Sequence, residues 1–167
     1  MSDTSKSLKE KLFYTKKNGL LKADENVFEA AVSYCDGYKN FLNVAKTERE
    51  AAKEALRLAI DKGFVPFERG KTYNAGDKVY FNNRGKTVAF AIIGEKNIEE
   101  GLKICAAHID SPRLDLKPNP LYEEIELALF KTHYYGGIRK YQWTAVPLAL
   151  HGVFAKKDVS VVEFNIG

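Results

Sequence analysis

The chain has 167 residues, 45% of them hydrophobic and 29% charged, which excludes a disordered polymer and allows one ordinary domain with a core. Its 26 lysines and arginines stand against 22 aspartates and glutamates, a net charge of +4; the bases are interleaved with acids, which argues against nucleic acid as the main partner. No run of about 18 apolar residues exists to span a membrane as a helix, and the first residues are polar and charged, without the apolar stretch of a secretory signal, so the expectation is a cytoplasmic, reduced protein.

In chain order, Leu8, Leu12 and Phe13 predict a short amphipathic helix ending near Asn18-Gly19. Asp24 is placed to cap a second helix, with Val27, Ala30, Ala31, Tyr34, Tyr38, Phe41 and Leu42 on one face of a 3.6-residue period. Such an aromatic stripe reads as core. Thr47 and Glu50 form a capping box before a third helix through Ala52, Ala55, Leu56, Ala59 and Ile60, with Gly63 at its far end.

After Gly63 the period changes. Val65 to Phe67 is a short extended piece, and Asn74-Ala75-Gly76-Asp77 is turn chemistry. Lys78 to Phe81 and Thr87 to Ile93 read as two strands joined by a hairpin connection at Asn82-Asn83-Arg84-Gly85.

The chain is organised around the stretch from Gly101 to Pro112. It starts as an apolar run, reads as a buried strand, and delivers His108 and Asp110 before Ser111-Pro112 stops it. Residues two apart on a strand point to one side, so the two side chains can face one site together. An imidazole beside a carboxylate that fixes its orientation suits metal binding.

Beyond Pro112 the pattern is strand-like. Leu114 and Leu116 alternate with charges, Pro118-Asn119-Pro120 breaks the run, and Ile125 to Thr132, Trp143 to Phe154 and Val159 to Ile166 are β-rich. Tyr134-Tyr135-Gly136-Gly137 reads as a glycine turn. The shift from mixed α/β to all-β after Asp110 predicts a domain boundary there. The β pattern running out at Asn165-Ile166-Gly167 leaves an edge to be covered, which reads as the front part of a longer protein.

Ala106-Ala107-His108-Ile109-Asp110-Ser111-Pro112, then Leu114, Lys117-Pro118, Tyr135-Gly136-Gly137 and Trp143, together resemble the aspartyl aminopeptidase/aminopeptidase I family of zinc metallopeptidases. The resemblance implies an α/β class: residues 1–110 as part of a zinc-peptidase α/β/α domain, and residues 111–167 as the start of an inserted β-rich oligomerisation domain. It implies zinc as the cofactor, two ions per active site, with His108 as a metal ligand and Asp110 as the supporting catalytic carboxylate. It further implies peptide substrates, release of N-terminal residues by a metal-activated water, and a homo-oligomer that reaches a dodecamer in relatives. The remaining ligands and the general base have no counterpart in this sequence, so the chain alone is expected to be inactive. Thr144-Ala145-Val146-Pro147 replaces an acidic, arginine-containing run after the Trp, and Arg113 and Asp115 stand in the motif's tail. These departures imply a divergent, bacterial-type subgroup and speak for aminopeptidase activity without aspartyl specificity. The alternative is a non-catalytic homologue acting as an association module.

The other histidines, His133 and His151, have no carboxylate or cysteine at ligand spacing and read as structural or surface residues. Cys35 and Cys105 lie in unrelated segments and read as small buried hydrophobes. Glu123-Glu124 and Glu126 read as a solvated loop and strand edge, and Arg139-Lys140-Tyr141 is too short for a nucleic-acid platform.

Overall fold

The structure, a computed structural model, describes residues 8, 10–14, 16 and 18–167, and the chain divides into two compact units, Met1–Asn40 and Phe41–Gly167. In the first unit, Leu8 and residues 10–12 are helical; the rest of the expected first helix lies partly outside the described residues. Gly19–Lys22 form a single 3-10 turn, opened by the Asn18 side chain, which accepts from the Leu20 N–H at 3.1 Å. Helix α1, Glu25–Val44, begins where expected, with Asp24 accepting from the Val27 N–H at 3.0 Å. Its aromatic stripe is not core: no residue of α1 is buried, and Phe28, Tyr34 and Tyr38 are exposed. A helical period states only that one face wants a partner, and nothing among the described residues buries this one. Cys35, on that helix, and Cys105 are both exposed, against the sequence expectation.

The second unit is built around helix α2, Glu48–Asp61. Its predicted capping box is present: the Glu50 N–H donates to Thr47 Oγ1 at 3.3 Å, and the Thr47 N–H donates back to Glu50 Oε2 at 2.9 Å. Gly63 closes the far end at φ 83°, in the left-handed region where a side chain would be strained. The buried face of α2 is Ala51, Ala52 and Ala59, small side chains that let the helix sit close against two strands below it.

Those strands are β2, Lys78–Asn83, and β3, Thr87–Ile92, an antiparallel pair with β1, Val65–Pro66, added in parallel to β2. The hairpin between β2 and β3 turns through Arg84 and Gly85, both at positive φ (57° and 68°), with Asn82 Oδ1 accepting from the Gly85 N–H at 2.9 Å. That is the backbone handedness a two-stranded ribbon needs. Val79 on β2 joins Ala45 and the α2 alanines as the buried apolar set, so the core holds no buried side chain larger than valine among the described residues.

Gly101 to Pro112 carries no ladder, although the sequence pattern predicts a strand there. An extended segment becomes a strand only when a neighbour pairs with its N–H and C=O groups. No such neighbour is present among the described residues, and Leu102 and Ile104 are 65% and 79% exposed. A short 3-10 turn, Ile98–Glu100, leads into it.

Beyond Pro112 the β-rich reading is upheld with shifted limits. Strand β4, Arg113–Glu124, pairs antiparallel with β5, Leu127–Tyr135. Pro118-Asn119-Pro120 does not end β4; it shifts the register between Leu116 and Leu121, because proline removes a donor without breaking the extended path. The turn falls on Ile125 and Glu126, at φ 51° and 60°, where the sequence predicts a strand to begin. A short helix, α3, Lys140–Trp143, replaces the predicted start of the next strand. The last pair is β6, Leu150–Ala155, and β7, Val161–Ile166, antiparallel.

Candidate metal centre

His108 and Asp110 meet without the help of a ladder. The His108 Nδ1 lies 3.0 Å from the backbone oxygen of Asp110 and 3.1 Å from its Oδ1. Both neighbours are oxygens that only accept, so the proton belongs on Nδ1 and the lone pair on Nε2. The His108 side chain is 82% exposed, which leaves Nε2 open to a ligand. This is the tautomer and the orientation that a metal-binding imidazole requires.

A cavity of about 360 Å3 adjoins the pair, lined by Glu48, Lys86, His108, Asp110, Arg113 and Tyr135 among others. The Tyr135 hydroxyl is the first of the influences that hold the Asp110 carboxyl below the usual carboxylate range, ahead of a backbone bond and His108. The same hydrogen bond pushes the Tyr135 hydroxyl up. Arg113 is the register partner of Tyr135 across β4 and β5, and its guanidinium lies 4.0 Å from the tyrosine ring centroid. Its Nε donates to Asp115 at 2.7 Å, and Nη1 reaches Glu48, on the first turn of α2, at 3.8 Å.

A catalytic zinc usually takes three protein ligands and a water. Among the described residues no group of three or more His, Cys, Asp or Glu side chains is gathered to hold a metal. The chain therefore fits one ligand with its orienting carboxylate, and does not complete a centre.

The other histidines are elsewhere. His133 stacks on Tyr134 with ring centroids 5.3 Å apart. His151, on β6, places Nδ1 2.8 Å from Glu50 Oε1. Burial pushes the Glu50 carboxyl up, but the bonds and charge of His151 and the bonds of Thr47 overcome it and leave it lowered. The pair sits in a second cleft, about 670 Å3, between α2 and the β6–β7 hairpin. Sequence spacing could not reveal this contact, since its partners lie 101 positions apart. Arg113 and Tyr135 were visible only as neighbours of the motif.

The mixed α/β scaffold offers one oriented, open imidazole, of the kind that metal-dependent hydrolases use as a ligand. The chain belongs to the M18 family of peptidases, the aminopeptidase I zinc metalloproteases, whose family model matches residues 41–166. It is 48% identical over 155 residues to a probable M18 family aminopeptidase 1 of Clostridium acetobutylicum, covering 90% of this chain and 33% of that protein. The crystal structure of aminopeptidase I from Borrelia burgdorferi superposes with a TM-score of 0.84 at 44% identity, over 90% of this chain and 37% of that one. The M18 aminopeptidase of Thermotoga maritima superposes with a TM-score of 0.80 at 43% identity, over 92% of this chain and 33% of that one. The chain thus spans about a third of the length of the relatives it matches.

Proposed function

We propose that this chain is the N-terminal portion of a zinc-dependent aminopeptidase that removes N-terminal residues from peptides. The observation that carries the reading is the His108–Asp110 pair, with Nδ1 engaged and Nε2 free, inside the stretch the family model matches. Zinc in such a site supplies a bound water acidic enough to act as a nucleophile near neutral pH. His108 would contribute one nitrogen to a two-zinc site, and Asp110 would hold the ring and its tautomer. The other ligands and the general base would come from sequence outside this chain.

In the same reading, residues 1–110 form part of the peptidase domain and 111–167 open an association domain. The full protein is then a cytoplasmic homo-oligomer, up to a dodecamer. The test is release of N-terminal residues from short peptides by the native gene product. Loss of release on chelation, with recovery on adding zinc, supports the reading; release that chelators leave untouched overturns it.

A non-catalytic association module is the second reading, favoured by the open apolar residues Ile92, Leu102 and Ile104 and by the lack, among the described residues, of any group of three metal-ligating side chains. A gene product that forms a defined oligomer on gel filtration, holds no zinc and releases no residue from any peptide would favour it.

A further inference from the structure

Two residues of α2 reach across to the last hairpin. Glu50 Oε1 meets His151 Nδ1 of β6 at 2.8 Å, and Lys53 Nζ donates to Glu163 of β7 at 2.8 Å. Glu50 and Lys53 stand three apart and share one side of the helix. The ladder explains why their partners match. Val153 is the register partner of Glu163, and His151 lies two residues before Val153, so His151 and Glu163 project from the same face of the hairpin. One side of the helix therefore grips both strands.

Little else holds the hairpin down. No residue of β6 or β7 is buried, and among the described residues each strand packs broadly only on the other. The stacked rings of Phe154 and Phe164, 4.7 Å apart, belong to the opposite face by the same alternation. Between the hairpin and α2 lies the cleft of about 670 Å3. The two ties are unequal. The Lys53 and Glu163 side chains are 71% and 68% exposed, where an ion pair adds little. Those of His151 and Glu50 are 14% and 29% exposed. A carboxylate only accepts, so Nδ1 donates to it whether the ring is neutral or charged.

From this geometry we propose that the β6–β7 hairpin is a flap, pinned to α2 by the His151–Glu50 bond, that opens as a unit while α2 and the β2–β3 pair stay folded. An isolated two-stranded hairpin is at best marginally stable in water. Once it leaves α2 it frays, and its ladder hydrogen bonds exchange with solvent. Helix α2, by contrast, sits on β2 and β3 through the buried Ala51, Ala52, Ala59 and Val79, contacts that this opening does not touch. Opening exposes the cleft along Val44, Val153 and Phe164, which line it. The region read as an association part thereby has its own low-energy motion, joined to the peptidase part by one sheltered bond. The motion is independent of metal binding, because neither member of either tie lines the cavity beside His108 and Asp110.

The test is amide hydrogen exchange of the native gene product over a series of urea concentrations below its unfolding transition, wild type beside His151→Ala and Lys53→Ala. In wild type, the amides of β6 and β7 are expected to exchange through an opening that is easier than that of the α2, β2 and β3 amides. That opening should also depend less steeply on urea, since it exposes less surface. His151→Ala leaves the Thr47–Glu50 box in place and should speed exchange in the hairpin by roughly 5-fold or more. Lys53→Ala should have the smaller effect, because its pair is exposed. Hairpin amides that exchange together with those of α2 in wild type overturn the flap, and so does a His151→Ala protein that fails to fold at all. Hairpin exchange unchanged by His151→Ala, or moved more by Lys53→Ala, overturns the pin.

Discussion

The capping carboxylate of α2 offers a quantitative test, because one side chain carries both a local and a long-range bond. Glu50 Oε2 accepts from the Thr47 N–H at 2.9 Å, the Thr47 hydroxyl at 3.1 Å and the Lys46 N–H at 3.2 Å, while Oε1 meets His151 at 2.8 Å. Thr47→Ala removes the hydroxyl that accepts from the Glu50 N–H and donates to Glu50 Oε2, and is expected to cost about 1 kcal/mol. Glu50→Ala removes the reciprocal half and the His151 contact. A hydrogen bond to a charged partner contributes about 1.5–3 kcal/mol when sheltered, and the Glu50 side chain is 29% exposed, so the low end applies. The total for Glu50→Ala is then roughly 2–3 kcal/mol. Urea unfolding of the native gene product measures both, and a double-mutant cycle of Glu50→Ala with His151→Ala isolates the pair. A coupling of about 1 kcal/mol is expected. Additive effects, or a Glu50→Ala no worse than Thr47→Ala, would refute the contact between α2 and β6.

The same carboxyl sets a pH dependence: its folded pKa lies below the ordinary 4.5, so its stabilisation is complete above that value and is lost as pH falls through the folded pKa. Unfolding midpoints from pH 7 to 3 should therefore decline for wild type more steeply than for Glu50→Gln, and parallel curves would contradict the assignment. Ile125 stands at φ 51°, a left-handed conformation costing a β-branched residue about 1–2 kcal/mol, so Ile125→Asn should raise the melting temperature; a fall would mean the exposed isoleucine is held by a partner. Gly152→Ala should destabilise by about 1–3 kcal/mol, since its Cβ would lie 2.6 Å from the Phe164 ring, itself stacked on Phe154 at 4.7 Å; an unchanged unfolding midpoint would show that the ring swings away freely.

Local chemistry was legible in the sequence, and contact between distant segments was not. Asp24, the Thr47–Glu50 box, Gly63 and the β2–β3 hairpin were predicted and found, since each is decided within a few residues by capping or turn geometry. The Ile125-Glu126 turn was legible only in part: Glu123-Glu124 and Glu126 read as a solvated loop and strand edge, but Ile125 reads as the start of a strand, because neither turn residue is a usual left-handed former. The Tyr34 and Tyr38 stripe and the Leu102 and Ile104 run were read as buried, yet periodicity reports demand for a partner, and none is present among the described residues. At the site, the His108–Asp110 pairing came from a spacing of two, while Tyr135, Arg113 and Glu48 arrive from a strand end, a strand start and a helix. Glu50 and His151 belong to the same class of long-range contact.

The most direct test of the central claim is the zinc content of the native gene product, wild type beside His108→Ala, by elemental analysis with circular dichroism to confirm that both fold. The account predicts zinc bound to wild type and a sharp loss on removing this one imidazole. Unchanged zinc stoichiometry in a folded His108→Ala protein would contradict it.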